Sequence, residues 1–481
     1  MEVLSELEPK KVFHYFEEIS NIPRGSYKEK AISDYLVAFA KAHQYEYWQD
    51  EIYNVVMKIP ATEGRQDEVP LILQGHMDMV CEKTADCELD MEKDGLKLAI
   101  DGDYVYAKQT TLGGDDGIAV AYMLAIADDT GISHPALEYI ITVSEEVGMD
   151  GAAAIDLSML QGNQMLNLDS EEEGIFLCSC AGGLSAVSAL PLSKESAKGL
   201  EAVQIQIDGL VGGHSGCEID KEHANADILL GRVLYALSKK TDFYLVDIEG
   251  GKKDNAIPVL SKAIIGIREA DYSKVDKICQ ECNAVFQHEY MHSDADICVR
   301  VSKKSQPTEV ICMADTKKII ALLMTVPNGV MAMSTSVKGL VETSLNLGIM
   351  NIENQNFRMQ HAIRSSVTSR KYDIFDKLCA LVTSFGGTCK MQGEYPAWEY
   401  KEQSEVRKKI IKLYKDMYQK EPVMEGIHAG LECGLLADKI KNLDCVSMGP
   451  DILNIHTTSE RLSISSTKRV YEFLLAYLEQ R

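Results

Sequence analysis

The chain has 481 residues, of which 46% are hydrophobic and 25% are charged, enough for a large globular core and for two domains. The formal net charge of −24 repels nucleic acids and anionic lipid surfaces, so neither is an expected partner. The first residues lack a secretory-signal pattern, no apolar run is long enough for a membrane span, and the 13 cysteines show no disulfide-framework spacing. We therefore expect a cytoplasmic protein.

Helices and strands alternate in the predicted elements of the first segment. Amphipathic patterns predict helices over residues 9–19, 28–42 and 117–127. Strand-like runs occupy residues 45–48, 54–59, 70–75, 137–143 and 165–168. An Asp-Gly pair at 101–102 between short apolar runs predicts a hairpin turn. This alternation is typical of an α/β domain.

The pattern changes after Ala181-Gly182-Gly183, where strands and helices follow one another in the order of an α+β domain. A helix over residues 404–418, a strand over 444–448 and a helix over 466–480 then resume the first pattern. We therefore predict a catalytic domain formed by residues 1–185 plus 392–481 and an inserted domain formed by residues 186–391.

Acidic and histidine clusters follow several of the predicted strands. Functional groups of α/β domains commonly lie in loops at the carboxyl ends of strands, so these clusters are expected to converge. His76 and Asp78 are two residues apart on an extended segment and share one face. If His76 binds a metal, Asp78 is placed to orient its ring. An incidental His-x-Asp pair is the alternative interpretation.

Two further clusters are carboxylate pairs. Asp115 and Asp116, in the sequence GGDDG, introduce a predicted helix, where a cap and the helix dipole would also favour acidic residues. Glu145 and Glu146 follow the strand that ends near residue 143. Adjacent carboxylates at a strand end project to opposite sides, so one can bind metal while the other accepts a proton from water. A solvated acidic loop is the alternative for this pair.

Two single residues complete the set. Asp169 directly follows a predicted strand, and His456 lies in the C-terminal segment. The clusters together supply two His and several carboxylates, a donor set that suits zinc, with cobalt or manganese as substitutes.

The order His-x-Asp, Gly-x-Asp, Glu-Glu, Asp and a distant His resembles the M20 metallopeptidases. More narrowly, TTLGGDDGIA, SEEVGMDGA, NLDSEEEG, GGHSG, NAIP and HAGLECG resemble the aminoacyl-histidine dipeptidase branch, and the resemblance extends over the whole chain. It implies an α/β, two-domain fold of the zinc-dependent exopeptidase type. The catalytic domain would have a central mixed sheet flanked by helices, and the inserted α+β domain would be a lid.

The resemblance also implies an activity and a ligand set. The activity is hydrolysis of dipeptides, of the Xaa-His type such as β-Ala-His and with broad specificity. Asp115 would bridge two zinc ions, with His76 and Asp169 completing one site and Glu146 and His456 the other.

Further roles follow from the same resemblance. Glu145 would act as general base and then as general acid for attack by a zinc-bridged hydroxide, and Asp78 would lie behind His76. The peptide bond between Asp115 and Asp116 would be cis. One departure is that His456 is followed by Thr-Thr-Ser-Glu-Arg instead of the Pro-Asp-Glu of many relatives, which leaves the geometry of this loop open.

Four residues are expected to bind the substrate. His214, in Gly-Gly-His-Ser-Gly, would donate a hydrogen bond to the oxyanion, from the same chain or from a partner in a homodimer formed through the lid. Asn255 and Arg364 would bind the C-terminal carboxylate, for which the planar Arg side chain is suited. Glu432 would bind the free amine. A turn histidine and a surface arginine are the alternatives for His214 and Arg364.

Two other functions are compatible with parts of this pattern. An M20-type aminoacylase or N-acyl amino-acid deacylase would use the same metals on a blocked amine. A non-catalytic binding protein on the same fold would be expected to lack a ligand or Glu145, whereas the chain contains all of them.

Overall fold

In the computed structural model, which describes residues 3–480, the internal contacts divide the chain into two units. The first comprises Met1–Ser179, Tyr400–Gly426 and Leu431–Arg481, and the second comprises Cys180–Glu399 and Ile427–Gly430. The second unit therefore interrupts the first along the sequence, and a short segment around His428 also belongs to it.

The amino-terminal part of the first unit alternates between helices and strands, as predicted. Its helices are α1 (Lys10–Ser20), α2 (Lys30–Ala42), α3 (Gly114–Ala127) and α4 (Asp150–Ala154). Its strands are β1 (Glu46–Gln49), β2 (Val55–Ile59), β3 (Leu71–His76), β4 (Leu98–Asp101), β5 (Tyr104–Ala107), β6 (Leu137–Thr142), β7 (Gln164–Asn167) and β8 (Ile175–Cys180).

The inserted segment is richer in strands. They are β9 (Gly182–Pro191), β10 (Lys194–Ser196), β11 (Glu201–Asp208), β12 (Tyr244–Gly250), β13 (Ser261–Ile267), β14 (Cys298–Lys304), β15 (Glu309–Ile311), β16 (Gly329–Met333), β17 (Val341–Glu353), β18 (Asn356–Ser365) and β19 (Thr388–Tyr395). The helices are α5 (Ala226–Ser238), α6 (Tyr272–Glu289), α7 (Met313–Thr325) and α8 (Thr368–Ser384).

The carboxy-terminal part returns to the first unit. Its helices are α9 (Glu405–Tyr418), α10 (Glu432–Lys439) and α11 (Ile464–Glu479). Its strands are β20 (Val423–Ile427), β21 (Asp444–Ser447), β22 (Ile452–Leu453) and β23 (Arg461–Ser463). None of the helices within residues 3–480 is both long and apolar enough to cross a membrane.

The main sheet of the first unit has the order β1-β2-β6-β3-β7-β21-β8-β20. Strands β6, β3, β7 and β21 are parallel, whereas β1, β2 and β8 pair antiparallel with their neighbours, so the sheet is mixed as predicted. Because β6, β3 and β7 are adjacent and parallel, their carboxyl ends lie at one edge of the sheet. Glu145 and Glu146 follow β6, His76 ends β3 and is followed by Asp78, and Asp169 follows β7.

Helix α3 explains how Asp115 reaches this edge. Its apolar sequence is buried on every side and packs on β3 and α1, as expected for a helix without a polar face. The backbone is not helical at Asp115 and Asp116, which accounts for the later predicted start of this helix at residue 117. The Asp115–Asp116 peptide bond is cis, as the resemblance implied.

A small antiparallel sheet of order β22-β23-β5-β4 positions the last ligand loop. The connection between β22 and β23 contains His456 and Glu460. Pairing of Leu462 with Val105 joins this hairpin to β5, which precedes the GGDDG segment.

The second unit has an antiparallel sheet of order β14-β11-β13-β12-β17-β18-β9-β19, with β16 paired to β17. Its own hydrophobic core lies between this sheet and residues of α5, α6, α7 and α8. It is therefore an α+β unit, as the sequence predicted.

Candidate metal centre

Asp115 lies between two groups of potential ligands. His76 Nε2 is 3.1 Å from Asp115 Oδ1 and 3.5 Å from Asp169 Oδ1. His456 Nε2 is 3.1 Å from Asp115 Oδ2 and 2.8 Å from Glu146 Oε2. The structure thus brings the five predicted ligands together: each oxygen of Asp115 contacts a different histidine, and each of these histidines contacts one further carboxylate.

The electrostatics of this cluster favour bound positive charge. Hydrogen bonds to Asp115 and Glu146 raise the pKa of His456 to about 10. Burial opposes protonation of His76, but the surrounding carboxylates, led by Asp169, raise its pKa well above the ordinary value. Burial raises the pKa of Asp169 to about 6, and the negative charges of Asp115 and Glu146 act in the same direction.

The donor set fits divalent cations. Ligand atoms of His76, Asp115 and Glu146 lie within 4.8 Å of one another, as do those of His76, Asp116 and Asp169. Glu146 Oε1 is buried and has no hydrogen-bond partner in the described part of the chain, so the carboxylate has free coordinating capacity. Imidazole nitrogens and carboxylate oxygens are ligands that zinc accepts.

Asp116 differs from Asp115 in its contacts. Its Oδ2 accepts the backbone N–H of His76 at 3.1 Å, which ties it to the end of β3. Burial raises the pKa of Asp116 well above its usual range. Of the two aspartates, Asp115 is the one with an oxygen directed at each histidine.

Asp78 connects the first ligand to the Glu145–Glu146 segment. It is fully buried, and its Oδ1 lies 3.3 Å from His76 Nδ1 and accepts the backbone N–H of Glu145 at 3.1 Å. Its Oδ2 accepts the Ser26 hydroxyl at 2.8 Å. A carboxylate in this position fixes the orientation of the imidazole ring.

Glu145 faces the same cluster. Burial, the largest influence, raises its pKa well above the ordinary value, and the charges of Asp169, Glu432 and Glu146 act in the same direction. A carboxyl group that attracts a proton in a buried acidic site has the character of a general base that later acts as an acid.

Glu432 lies one layer below the ligands. It is 0% exposed and accepts hydrogen bonds from Gln74 Nε2 at 2.5 Å and from Thr142 Oγ1 at 2.7 Å. Asn167 donates to Gln74 Oε1 at 2.6 Å. Since Gln74 and Asn167 precede His76 and Asp169 by two strand positions, this network underlies both. Burial raises the pKa of Glu432 to about 7.

The predicted substrate residues of the second unit form a cluster of their own. His214 Nε2 is 3.5 Å from Arg364 Nη2, and Arg364 Nη1 donates to the Tyr395 hydroxyl at 2.8 Å. Asn255 has an exposed side chain, and its carbonyl oxygen accepts the Ser215 N–H at 2.9 Å, which holds its loop beside that of His214.

Sequence reasoning missed several residues of these clusters. Tyr395 and His428 belong to the polar cluster of the second unit, where the Ser344 hydroxyl lies 2.7 Å from His428 Nε2. Arg24 and Glu460 contact the ligand loops of the first unit. Glu460 is the glutamate of the Thr-Thr-Ser-Glu-Arg segment after His456, and its closeness to a predicted ligand could have indicated a supporting role. No pattern around Arg24 indicated its role.

These features define a metallohydrolase fold of the exopeptidase type, with an α+β unit inserted into an α/β unit. Over its whole length the chain is 34% identical to the cytosol non-specific dipeptidase of Escherichia coli (strain K12), covering 99% of that protein. The aminoacylhistidine dipeptidase structure from Vibrio alginolyticus superposes with a TM-score of 0.93 at 34% identity, with 99% of this chain and 97% of that chain covered.

Two further comparisons agree. Residues 205–294 match the M20 family described as the peptidase dimerisation domain. Aminopeptidase PepT from Bacillus cereus ATCC 10987, at 16% identity and a TM-score of 0.56 over 98% of both chains, shares the fold. The chain therefore belongs to the M20 family of metallopeptidases, in its aminoacylhistidine dipeptidase branch. M20 metallopeptidases are dinuclear metal enzymes that hydrolyse peptide bonds.

Proposed function

We propose that this protein hydrolyses dipeptides, including Xaa-His dipeptides such as β-Ala-His, with two zinc ions bound at the Asp115 cluster. The observation that carries the proposal is the two-sided environment of Asp115, whose oxygens contact different histidines that each contact one further carboxylate. Both full-length relatives are named as dipeptidases, which supports the substrate class.

His76 and Asp169 would hold one ion, Glu146 and His456 the other, and Asp115 both. When bound, the ions would polarise the scissile carbonyl and lower the pKa of a water molecule; cobalt or manganese would be possible substitutes. Asp78 keeps the His76 ring oriented through its contact with Nδ1. Glu145 takes a proton from the attacking water on its carboxylate and returns a proton to the nitrogen of the leaving amine.

The second unit would supply donors for the substrate's negative groups. His214 Nδ1 accepts the backbone N–H groups of Gly216 and Cys217 at 3.3 and 3.1 Å, so Nε2, 3.5 Å from Arg364 Nη2, is the ring nitrogen left for the substrate. Together with the Arg364 guanidinium, it would serve an oxyanion, from the same chain or from a partner. Arg364, with Asn255, would bind the C-terminal carboxylate.

The amine-binding role predicted for Glu432 does not fit its position, because the carboxylate is 0% exposed and accepts hydrogen bonds from Gln74 and Thr142 beneath the ligands. We also propose that the protein is a cytosolic homodimer. The name of the Escherichia coli relative and the match of residues 205–294 to a dimerisation domain support this.

A substrate panel tests the proposal. The metal-loaded protein is assayed with β-Ala-His, Gly-His and Leu-Gly beside N-acetyl amino acids, with and without prior chelation. We expect turnover of the free dipeptides that chelation abolishes. Turnover of only the acetylated compounds would identify an aminoacylase instead.

A further inference from the structure

We propose that Arg24 and Glu460 are positioning residues. They hold the Asp115 loop, residues 112–117, at a fixed position relative to the segments that contain His76 and His456. The inference rests on the proposed function, since it assigns a task to residues that support the metal cluster. Neither residue is among the ligands or the proton-transfer groups.

Arg24 joins the Asp115 loop to the His76 loop. Its side chain is 1% exposed, and Nη1 donates to the carbonyl oxygens of Met77 and Asp78 at 3.0 and 3.1 Å. Its Nη2 donates to the carbonyl oxygen of Gly113, two residues before Asp115. A rigid planar guanidinium can hold two loops at a fixed spacing, whereas a lysine ammonium cannot.

The glycines of the GGDDG segment make room for this guanidinium. A Cβ atom on Gly113 or on Gly117 would collide with Arg24 Nη2. Gly113 also has a φ of 66°, which non-glycine residues seldom adopt. The glycine spacing around Asp115 is therefore complementary to the arginine.

Glu460 joins the Asp115 loop to the His456 loop. It is 3% exposed, and its Oε2 accepts the backbone N–H groups of Leu112 and Gly113 at 2.8 and 3.0 Å. Its Oε1 accepts those of Gly114 and Asp115 at 2.7 and 3.4 Å. Because Glu460 lies four residues after His456 in the same connection, it fixes the bridging aspartate relative to that histidine.

The two contacts are complementary. Arg24 binds a carbonyl oxygen of the Asp115 loop, and Glu460 binds its N–H groups. Arg24 connects this loop to the segment that follows His76, and Glu460 connects it to the segment that contains His456. Asp115 can bridge two metal sites only if its positions relative to His76 and to His456 are both fixed.

The same unit contains a matched pair of buried charges away from the cluster. Arg65 is 1% exposed and donates to the Leu478 carbonyl oxygen at 2.6 Å. Glu138 is 2% exposed and accepts the Gly162 N–H at 2.8 Å. R65K and E138Q therefore make the same two substitutions at buried anchors outside the ligand loops.

The experiment compares Arg24→Lys and Glu460→Gln with Arg65→Lys and Glu138→Gln in the full-length protein. Zinc and cobalt affinities are measured by chelator competition, the cobalt-loaded protein by its visible spectrum, and the metal-free protein by its melting temperature. We expect R24K and E460Q to lose about 10–100-fold in metal affinity, as is typical of residues that orient ligands. Their cobalt spectra should shift, and kcat should fall with little change in KM.

The controls should keep the parent's metal affinity and spectrum at a comparable fall in melting temperature. Parent-like affinity and spectra in R24K and E460Q would overturn the proposal and leave a structural role. If R24K does not fold, the comparison of E460Q with E138Q decides by the same criterion. Failure of the proposed function would be visible in the parent itself, as absent metal binding or absent dipeptide hydrolysis.

Discussion

The histidines of the two units lie among groups of opposite charge. In the first unit, Asp115 and Glu146 raise the pKa of His456 to about 10. In the second unit, burial and the positive charge of Arg364 lower the pKa of His428 to about 3 and also lower the pKa of His214. One residue type thus serves two tasks, and the surrounding charges decide which.

The charges around the histidines determine which kind of ligand each unit can bind. The first unit gathers carboxylates around its histidines and is suited to cations. The second unit surrounds neutral histidines with an arginine and hydroxyl groups, which are donors suited to an anionic group. A dipeptidase needs both, for metal ions at the scissile bond and for the substrate's carboxylate.

The largest effect is expected from a substitution that disrupts the cation site. Asp115→Asn removes the charge of the bridge at almost constant volume, so metal stoichiometry should fall below two per chain. Dipeptide hydrolysis should fall by at least ~10³-fold, more than the ~10–100-fold expected for substitution of residues that only orient the ligands. Metal analysis and an initial-rate assay measure both quantities. Asp116→Asn is the matched control; metal loss in D116N alone would mean that Asp116 is the bridge.

The next effect separates proton transfer from metal binding. Glu145→Gln should keep both ions and lower kcat by about 10²–10⁴-fold, the usual contribution of a general base. Glu146→Gln should instead weaken metal binding. Metal content and kcat of the two variants, measured together, check the assignment. The reverse pattern would exchange the roles of these neighbours.

A smaller effect tests the anion site. Arg364→Ala should raise KM for free dipeptides by roughly 10–100-fold, the equivalent of a lost charge-assisted hydrogen bond. It should affect C-terminally amidated dipeptides far less. Arg358→Ala, on the same strand in an exposed ion pair with Glu353, is the control. An equal loss on both substrate types in R364A would rule out the carboxylate role.

The smallest effect concerns stability and extends the comparison to a histidine held neutral by burial alone. Burial lowers the pKa of His361 to about 3, and its ring nitrogens have no hydrogen-bond partner within the described residues. Since the unfolded chain binds this proton near pH 6.5, the contribution of His361 to stability is complete above that pH and is lost as the pH falls towards 3.

For the parent, this loss is roughly 2 kcal/mol between pH 8 and pH 5. His361→Leu should remove it, so the variant's free energy of unfolding should fall less on acidification. Urea unfolding at both pH values measures the difference. Equal acid sensitivity of parent and H361L would show that His361 is protonated in the folded protein.

Much of the site could be predicted from the sequence because its residues follow strands or stand in a recognisable order. His76 is the last residue of β3, and Glu146 and Asp169 lie just beyond β6 and β7; the parallel arrangement of these strands brings the three residues together. The order of these residues pointed to Asp115 and His456 as well. The alternation of apolar residues was also sufficient for most helices and strands.

The supporting contacts could not be predicted in this way. Arg24 stands in a Pro-Arg-Gly segment that indicates only a break between helices, yet its guanidinium contacts loops more than fifty residues away. Such contacts depend on tertiary packing, which local periodicity does not encode. The strand order of the second unit and the neighbours of His428 depend on packing in the same way.

The most direct test of the central claim is a titration of metal into chelated protein with β-Ala-His hydrolysis followed at each step. The two-sided environment of Asp115 predicts that activity rises with bound metal, reaches its maximum at two equivalents per chain and gains nothing from a third. Full activity without metal, or at a single equivalent, would contradict it.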